Sequence, residues 1–418
     1  MQTGIGIDFG TTNSAVALAQ GREVQVASFP FMESVVDTFR SVLFFEEAGA
    51  RKTPPKPRAG PSAIERYLEP HEGGRLIQSL KSFAASRTFT TTQVAGRLYK
   101  LEELIGIFFR ILRAQAEERL GPLGSRAVVG RPVRFVSGEN REDEALAVDR
   151  LRRAYKIAGF DEVEFEYEPI GAAYSYAQRL LQDELVLIGD FGGGTSDFSI
   201  VELGRAGRHK MIATTGIPIG GDTFDARIVR QMVSPMLGLG TSYRSMQKIL
   251  PVPSSLYIKL ESWHHLSFLR SRDNLRMLQS IRAQALEPEK IERLIEIVED
   301  DLGYHLHRCV QRTKVELSSR EQTTFAFSDA SMKIERRVRR ADFEKWIAPD
   351  LAQIDASVDE ALALAGLTPA KVGRVFLTGG SSLVPAVQQV FQRFGPEKLS
   401  AGDEFTSVAR GLALKAAS

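Results

Sequence analysis

Two aspartates, Asp8 and Asp190, each close an apolar run and each precede a short loop made of glycine and small hydroxyl residues. Residues 4–17 read GIGIDFGTTNSAVA and residues 186–200 read VLIGDFGGGTSDFSI, so the same phrase is written twice. A loop of this kind can surround phosphate. Glycine lets main-chain N–H groups approach anionic oxygens with no Cβ in the way, and Thr11, Thr12 and Thr195 add hydroxyl donors. A carboxylate beside phosphate repels it unless a hard cation intervenes, so Asp8 and Asp190 imply Mg²⁺ held through water. The plain alternative is a pair of Gly-rich turns capped by aspartate; the repetition of the whole phrase weighs against it.

The elements that must position these residues follow from the pattern on either side. In both copies a second strand-like run follows the loop, with Val16 and Leu18 alternating after the first and Phe198 and Ile200 after the second, so each copy is read as a β-hairpin. A P-loop would need GxxxxGK[ST] opening a helix, which neither copy has. Gly4, Gly6 and Gly10 miss the dinucleotide spacing, and no HRD loop accompanies Asp-Phe-Gly as it does in a protein kinase. Strands are expected over 5–8, 15–19, 35–36, 42–45, 127–129, 163–165, 185–190, 198–203 and 375–378. Helices are expected over 101–120, 141–159, 169–181, 289–317 and 343–365. This alternation makes the fold class α/β. Residues 51–62, RKTPPKPRAGPS, read as an exposed loop.

At 418 residues the chain exceeds one simple core and is expected to form two large lobes or more. Lys and Arg total 54 against 52 for Asp and Glu, so no strong basic field points to nucleic acid. The lone Cys309 excludes an internal disulfide framework and fits a reducing compartment. The first residues already form a strand with no signal-peptide pattern, and no apolar run approaches the roughly 18 residues of a membrane span. The expectation is a soluble, cytoplasmic protein with neither nucleic acid nor membrane as partner.

The loops GIDFGTTNS and GDFGGGTSD resemble the two phosphate loops of the actin-like ATPase superfamily, most closely those of the DnaK-type seventy-kilodalton heat-shock chaperones. Lys81 in IQSLKSFA stands where that family has a phosphate-contacting lysine. Pro132 and Arg141, in VVGRPVRFVSGENR, resemble its proline and arginine that relay nucleotide state, and Glu168 in YEPIGAA resembles the glutamate of its NEPTAAA helix. GGDTFDARIV, from Gly220, is similar to its GGEDFD segment, and LTGGSSLVP, residues 377–385, to its adenosine loop.

The resemblance implies an actin-like, ribonuclease H-like α/β fold: two duplicated lobes around a cleft for ATP or ADP with Mg²⁺, each with an outer subdomain. Lobe I would take residues 1–182 with a return over 402–418. Lobe II would take 183–401, with an outer helical subdomain and insert at about 220–341. By resemblance Asp8, Lys81, Glu168, Asp190, Thr195 and Asp197 form the catalytic set. Gly10, Thr11, Thr12, Asn13, Gly192, Gly193 and Gly194 meet the phosphates. Gly221, Asp222, Gln311, Lys314, Val315, Ser318, Gly379, Gly380, Ser381 and Leu383 complete the nucleotide contacts.

Elementary chemistry gives each catalytic candidate a role. Lys81 is a point charge suited to a β- or γ-phosphate. Glu168 precedes Pro169 at a helix start, where a carboxylate satisfies the dipole and can also order a metal-bound water. Asp197 either orients the attacking water or only bonds the turn. Phosphoryl transfer asks mainly for positioning and charge neutralisation, so this set suffices for slow ATP hydrolysis.

Some positions depart from the family. Lys314 and Ser318 match its adenosine helix, whereas Gln311 and Val315 do not, and Leu383 replaces an arginine in the other adenosine loop. The family holds adenine between two arginines; here Val315 and Leu383 would form an apolar slot, losing about 0.5 to 1 kcal/mol or more per cation–π contact, and weaker ATP binding is expected. Residues 227–287 exceed what the family's outer subdomain needs. Read as extra helices or as a partner-binding surface, this insert carries Trp263, His264 and His265. These histidines, like His305 and His307, have poor metal-ligand spacing. After VARGLALKAAS the chain stops where the family continues into its peptide-binding region, which resembles the truncated, YegD-like members and leads us to expect a nucleotide-binding domain alone. Three classes stay open: a stand-alone ATPase regulating an unknown protein partner in the stress response, an actin-like filament former, and a sugar-kinase or polyphosphatase-type phosphotransferase.

Overall fold

The computed structural model describes residues 3–47, 56–69, 73–136, 138–177, 180, 182–204, 208–246, 248–261, 269, 271–300, 302–329, 332–401 and 406–418. The repeated phrase becomes two hairpins with the same surroundings. Strands β1 (Thr3–Phe9) and β2 (Asn13–Gln20) pair antiparallel, and β3 (Glu23–Val26) pairs antiparallel with β2. On the other side of β1, β4 (Arg126–Arg131) and then β5 (Glu162–Tyr167) add in parallel. The second sheet repeats this plan. β6 (Glu184–Phe191), β7 (Ser196–Leu203) and β8 (His209–Ile217) form the antiparallel part, while β9 (Arg374–Thr378) and β10 (Leu399–Ala401) run parallel beside β6. The orders β5-β4-β1-β2-β3 and β10-β9-β6-β7-β8 are one topology built twice.

Alternation along β1 sends Ile5, Ile7 and Phe9 to one face and Gly4, Gly6 and Asp8 to the other. The first set joins a core with helices Leu101–Leu120 and Arg141–Ile157, where the Phe9 ring meets Phe109 edge-on at 4.8 Å. The glycine face receives helix Ser407–Ala416 so closely that a Cβ on Gly6 would collide with the backbone of Ala409 and Ala413. The same helix touches helix Glu168–Ala177 where Gly411 meets Gly171. Helix Glu168–Ala177 in turn packs Ile170 and Ala173 on Val186, Ile188 and Val201 of the second sheet.

The chain divides into two compact units. One comprises Met1–Pro218, Ala356–Ser382 and Phe391–Ser418 and contains both sheets; the other comprises Ile219–Asp355 and Leu383–Val390. In the second unit, helices Gly221–Ile228, Ser254–Glu261, Arg272–Gln284, Pro288–Glu299 and Gly303–Ser319 accompany the hairpins Ser242–Ser245 with Lys248–Pro251 and Gln322–Ser328 with Lys333–Arg339. Arg227 holds Asp350 with two hydrogen bonds of 2.9 and 2.8 Å.

Several expected boundaries change. The helix read over 289–317 is two helices, Pro288–Glu299 and Gly303–Ser319, broken where acidic residues and Gly303 end one and begin the next. Val298, Leu302, Leu306 and Val310 keep a four-residue step across that break, which is why periodicity alone hid it. The helix read over 169–181 runs Glu168–Ala177. In the segment read as a loop over 51–62, Arg58–Ala59 pairs as a strand and Gly60 opens helix Gly60–Leu68, with Pro61 in its first turn where proline needs no N–H partner. The insert adds a β-hairpin to the expected helices. Trp263, His264 and His265 lie outside the described residues.

Candidate functional site

Strand β1 carries Asp8 to its end, and the turn of Gly10, Thr11 and Thr12 returns the chain into β2 at Asn13. Gly10 N–H donates to Asn13 O at 3.0 Å, so close that a Cβ on Gly10 would strike that oxygen. Ser41 secures the loop from outside: its hydroxyl donates to Gly10 O at 2.7 Å and its N–H to Thr12 O at 2.9 Å. In the second hairpin Asp190 lies opposite Asp197, with Gly192, Gly193, Gly194 and Thr195 forming the turn. Thr195 Oγ1 donates to Asp197 Oδ2 at 3.4 Å, and Gly216, facing Asp197 on β8, leaves no room for a Cβ beside that carboxylate.

Two side chains from distant sequence complete the cluster. Lys81, in the short 3₁₀ turn Leu80–Phe83, donates from Nζ to Glu168 Oε1 at 2.6 Å, and both are buried. Thr378, at the end of β9, donates its hydroxyl to Asp190 Oδ1 at 2.8 Å. Asp8, Asp190 and Asp197 are partly open, unlike the Lys81–Glu168 pair. On β4, Gly130 provides space: an added Cβ would lie 3.0 Å from Glu168 Cγ and 3.6 Å from Asp8 Oδ1. Thr378, Gly130 and Ser41 were missed from sequence; for Thr378 the signal was its place at the carboxyl end of a strand beside Asp190.

This cluster is short of positive charge. Burial, then Glu168, push Asp8 up to about 8 against the opposing pull of Lys81, and Asp190 adds to the rise. Burial, with Asp190 and Glu168, pushes Asp197 up to about 7. Burial also raises Glu168 against Lys81, and raises Asp190 against its hydrogen bond from Thr378. For Lys81 burial opposes the charge, but Glu168 and Asp8 together hold the ammonium above its ordinary range. Four carboxylates around one cation make the uptake of a hard divalent cation favourable. A second sign of fit is Thr12, whose buried Oγ1 has no hydrogen-bond partner among the described residues. No group of three or more His, Cys, Asp or Glu among the described residues is placed to hold a metal directly, and the metal expected here is held through water.

The remaining nucleotide candidates are divided between the units. Gly379, Gly380 and Ser381 follow β9 in the first; Gly379 has φ +80°, and its missing Cβ makes room for Phe191 O. In the second unit Lys314 pairs with Asp225 Oδ1 at 2.9 Å and donates to Gly221 O at 3.0 Å, so helices Gly303–Ser319 and Gly221–Ile228 are tied together. Ser318 donates to Lys314 O at 3.2 Å, Gln311 is half-buried, and Val315 and Leu383 are 65% and 39% exposed. His307 is buried with Nε2 on Leu260 O at 2.8 Å, whereas His305 faces Phe327. Arg141 opens the helix Arg141–Ile157, and Pro132 follows β4. Among the described residues no helix is long and apolar enough to cross a membrane.

A family model described as "Hsp70 protein" matches residues 76–238 and 279–418. A protein named Chaperone protein DnaK from Thermus thermophilus is 28% identical over 442 aligned positions, taking in 100% of this chain and 61% of the relative. Its namesake from Deinococcus proteolyticus is 26% identical over 439 positions, with 100% of this chain and 59% of the relative covered. The chain thus spans about three fifths of the length of the curated relatives it matches.

Proposed function

This chain belongs to the Hsp70 protein family and has the actin-like ATPase fold, and on that premise we propose that it is a slow, Mg²⁺-dependent ATPase. The observation that carries the reading is the buried Lys81–Glu168 pair set among Asp8, Asp190 and Asp197, three carboxylates pushed up first by burial, and for Asp8 and Asp197 also by their neighbours Glu168 and Asp190. Lys81 would neutralise a terminal phosphate, and the loop N–H groups after Asp8 and Asp190, with the Thr12 and Thr195 hydroxyls, would bind its oxygens. Asp8 and Asp190 would hold Mg²⁺ through water, and the ion would supply charge neutralisation on the phosphates. Glu168 and Asp197 would accept hydrogen bonds from the attacking water and orient it. Gly221, Asp222, Gln311, Lys314, Val315, Ser318, Gly379, Gly380, Ser381 and Leu383 would hold the rest of the nucleotide. Nucleotide-driven closure of the lobes, over 1–182 with 402–418 and over 183–401, would pass its state to a protein partner, with Pro132 and Arg141 in the relay.

The test is phosphate release from Mg-ATP by native protein beside Lys81→Ala, with nucleotide binding measured separately. Release that falls at least about a hundredfold in the variant supports the reading, since preorganised charge is worth that much in comparable sites. Bound ATP without release from the native protein would sink it. Pelleting with ATP, or turnover only with a sugar acceptor, would mark the filament or phosphotransferase reading instead.

A further inference from the structure

Residues 333–340 read KIERRVRR, five cations against one anion in a chain whose net charge is +2. Strand Lys333–Arg339 pairs antiparallel with Gln322–Ser328, placing Gln322 opposite Arg339 and Thr324 opposite Arg337. Side chains alternate across a strand, so Arg337 and Arg339 share a face with Gln322 and Thr324. Arg320 is extended (φ −121°, ψ 148°) two residues before Gln322 and continues the same face. The opposite face is the packed one, with Phe325, Phe327, Ile334 and Val338 buried.

The hairpin therefore buries one face and carries Lys333, Glu335, Arg337 and Arg339 on the other, where Lys333 is paired with Glu335 at 3.0 Å and the net charge is positive. Arg320 and Arg337 are exposed and make no ion pair or side-chain hydrogen bond among the described residues. Arg339 is held beside Asp342 at 3.1 Å, and Arg340 donates Nε to Leu317 O at 2.7 Å, which fixes both guanidinium groups in place. Arg320, Gln322, Arg339 and Arg340 line a groove of about 780 Å³, whose remaining walls are Glu321, Ala341 and Glu344.

We propose that this face docks an acidic, extended peptide segment of a partner protein. Alternate side chains of an extended segment repeat at about 6.6 Å, the spacing at which one strand presents Arg337 and Arg339. Arg320 and Arg337, whose guanidinium groups are unengaged among the described residues, can each take a carboxylate through two parallel hydrogen bonds, while Arg339, already held on Asp342 through Nε and Nη2, adds its charge to the same face. Gln322 and Thr324, between the arginines, offer donors and acceptors to the segment's main chain. The two glutamates in the groove wall favour a peptide over a nucleic acid, because a continuous run of phosphates would meet them and a peptide places neutral residues between its carboxylates. This inference does not depend on the ATPase reading.

Fluorescence anisotropy of a labelled peptide with glutamate at every second position tests it on the full chain, with Arg320→Ser/Arg337→Ser as the variant. Both side chains are exposed and unengaged, so matching thermal melts should confirm that the variant is folded. The expected result is saturable binding that weakens with salt, falls about tenfold or more in the variant, and is absent for the same peptide with glutamine in place of glutamate. No saturable binding to the native chain, or equal affinity in the variant, would overturn the proposal. Tighter binding of an oligonucleotide of equal charge, also lost in the variant, would overturn the choice of a peptide.

Discussion

At the scale of single residues, the site stands out by its charge balance. Asp197 has an ordinary value of 3.8 and is pushed up to about 7, with burial as the first cause. Between those values the folded protein holds a proton that the unfolded chain has released, so this residue contributes stability at low pH that is lost as pH rises towards 7. Asp8, raised to about 8, acts in the same direction and extends the window upward. In urea unfolding without metal or nucleotide these two carboxylates should therefore pull stability down from about pH 4 to pH 8, against the rise that buried His307, held below its ordinary 6.5, contributes as pH increases to that value. Asp197→Asn should flatten that decline by a few kcal/mol, because each pH interval of one between the unfolded and folded values is worth about 1.4 kcal/mol. An unchanged slope in the variant would mean that Asp197 ionises normally and is not part of the cluster.

At the scale of elements, close backbone packing decides where Asp8 is held. Gly4 and Gly6 let helix Ser407–Ala416 rest directly on β1, the strand that ends in Asp8. Gly6→Ala would press a methyl group into the backbone of Ala409 and Ala413, which cannot yield as a flexible side chain would. Overpacking of this kind costs about 1–3 kcal/mol, so the denaturation midpoint should fall; a midpoint equal to native would show that the helix can shift freely. The hairpins that carry the two loops were legible in sequence, because alternation and turn glycines are local signals. The division into helices Pro288–Glu299 and Gly303–Ser319 was not, because the apolar stripe stays in step from one to the next. Lys81 was marked by resemblance rather than by its own surroundings, and its place in a short 3₁₀ turn beside Glu168 came only with the structure.

At the scale of the whole molecule, the repeated sheet order explains why one phrase occurs twice, since each sheet supplies one strand that carries an aspartate up to a glycine loop. The adenine contacts proposed for Val315 and Leu383 carry a prediction at this scale. Replacing both by arginine, as Val315→Arg/Leu383→Arg, should restore two cation–π contacts of about 0.5 to 1 kcal/mol each and tighten ATP roughly five- to thirtyfold. Calorimetric titration would read the change. ATP bound no more tightly by the double variant would remove these two side chains from the base site.

The sequence by itself determined the two hairpins, the glycines at their turns and the carboxylates at their ends. Those features rest on local backbone freedom, on a two-residue side-chain period and on the identity of neighbouring residues, all of which are present in the chain before it folds. Only the tertiary structure decided that Lys81 and Glu168, 87 positions apart, share a buried ion pair, and that Thr378 and Asp190, 188 positions apart, share a hydrogen bond. It alone raised Asp8 and Asp197, because desolvation and the field of neighbouring charges arise only when strands distant in sequence are packed side by side.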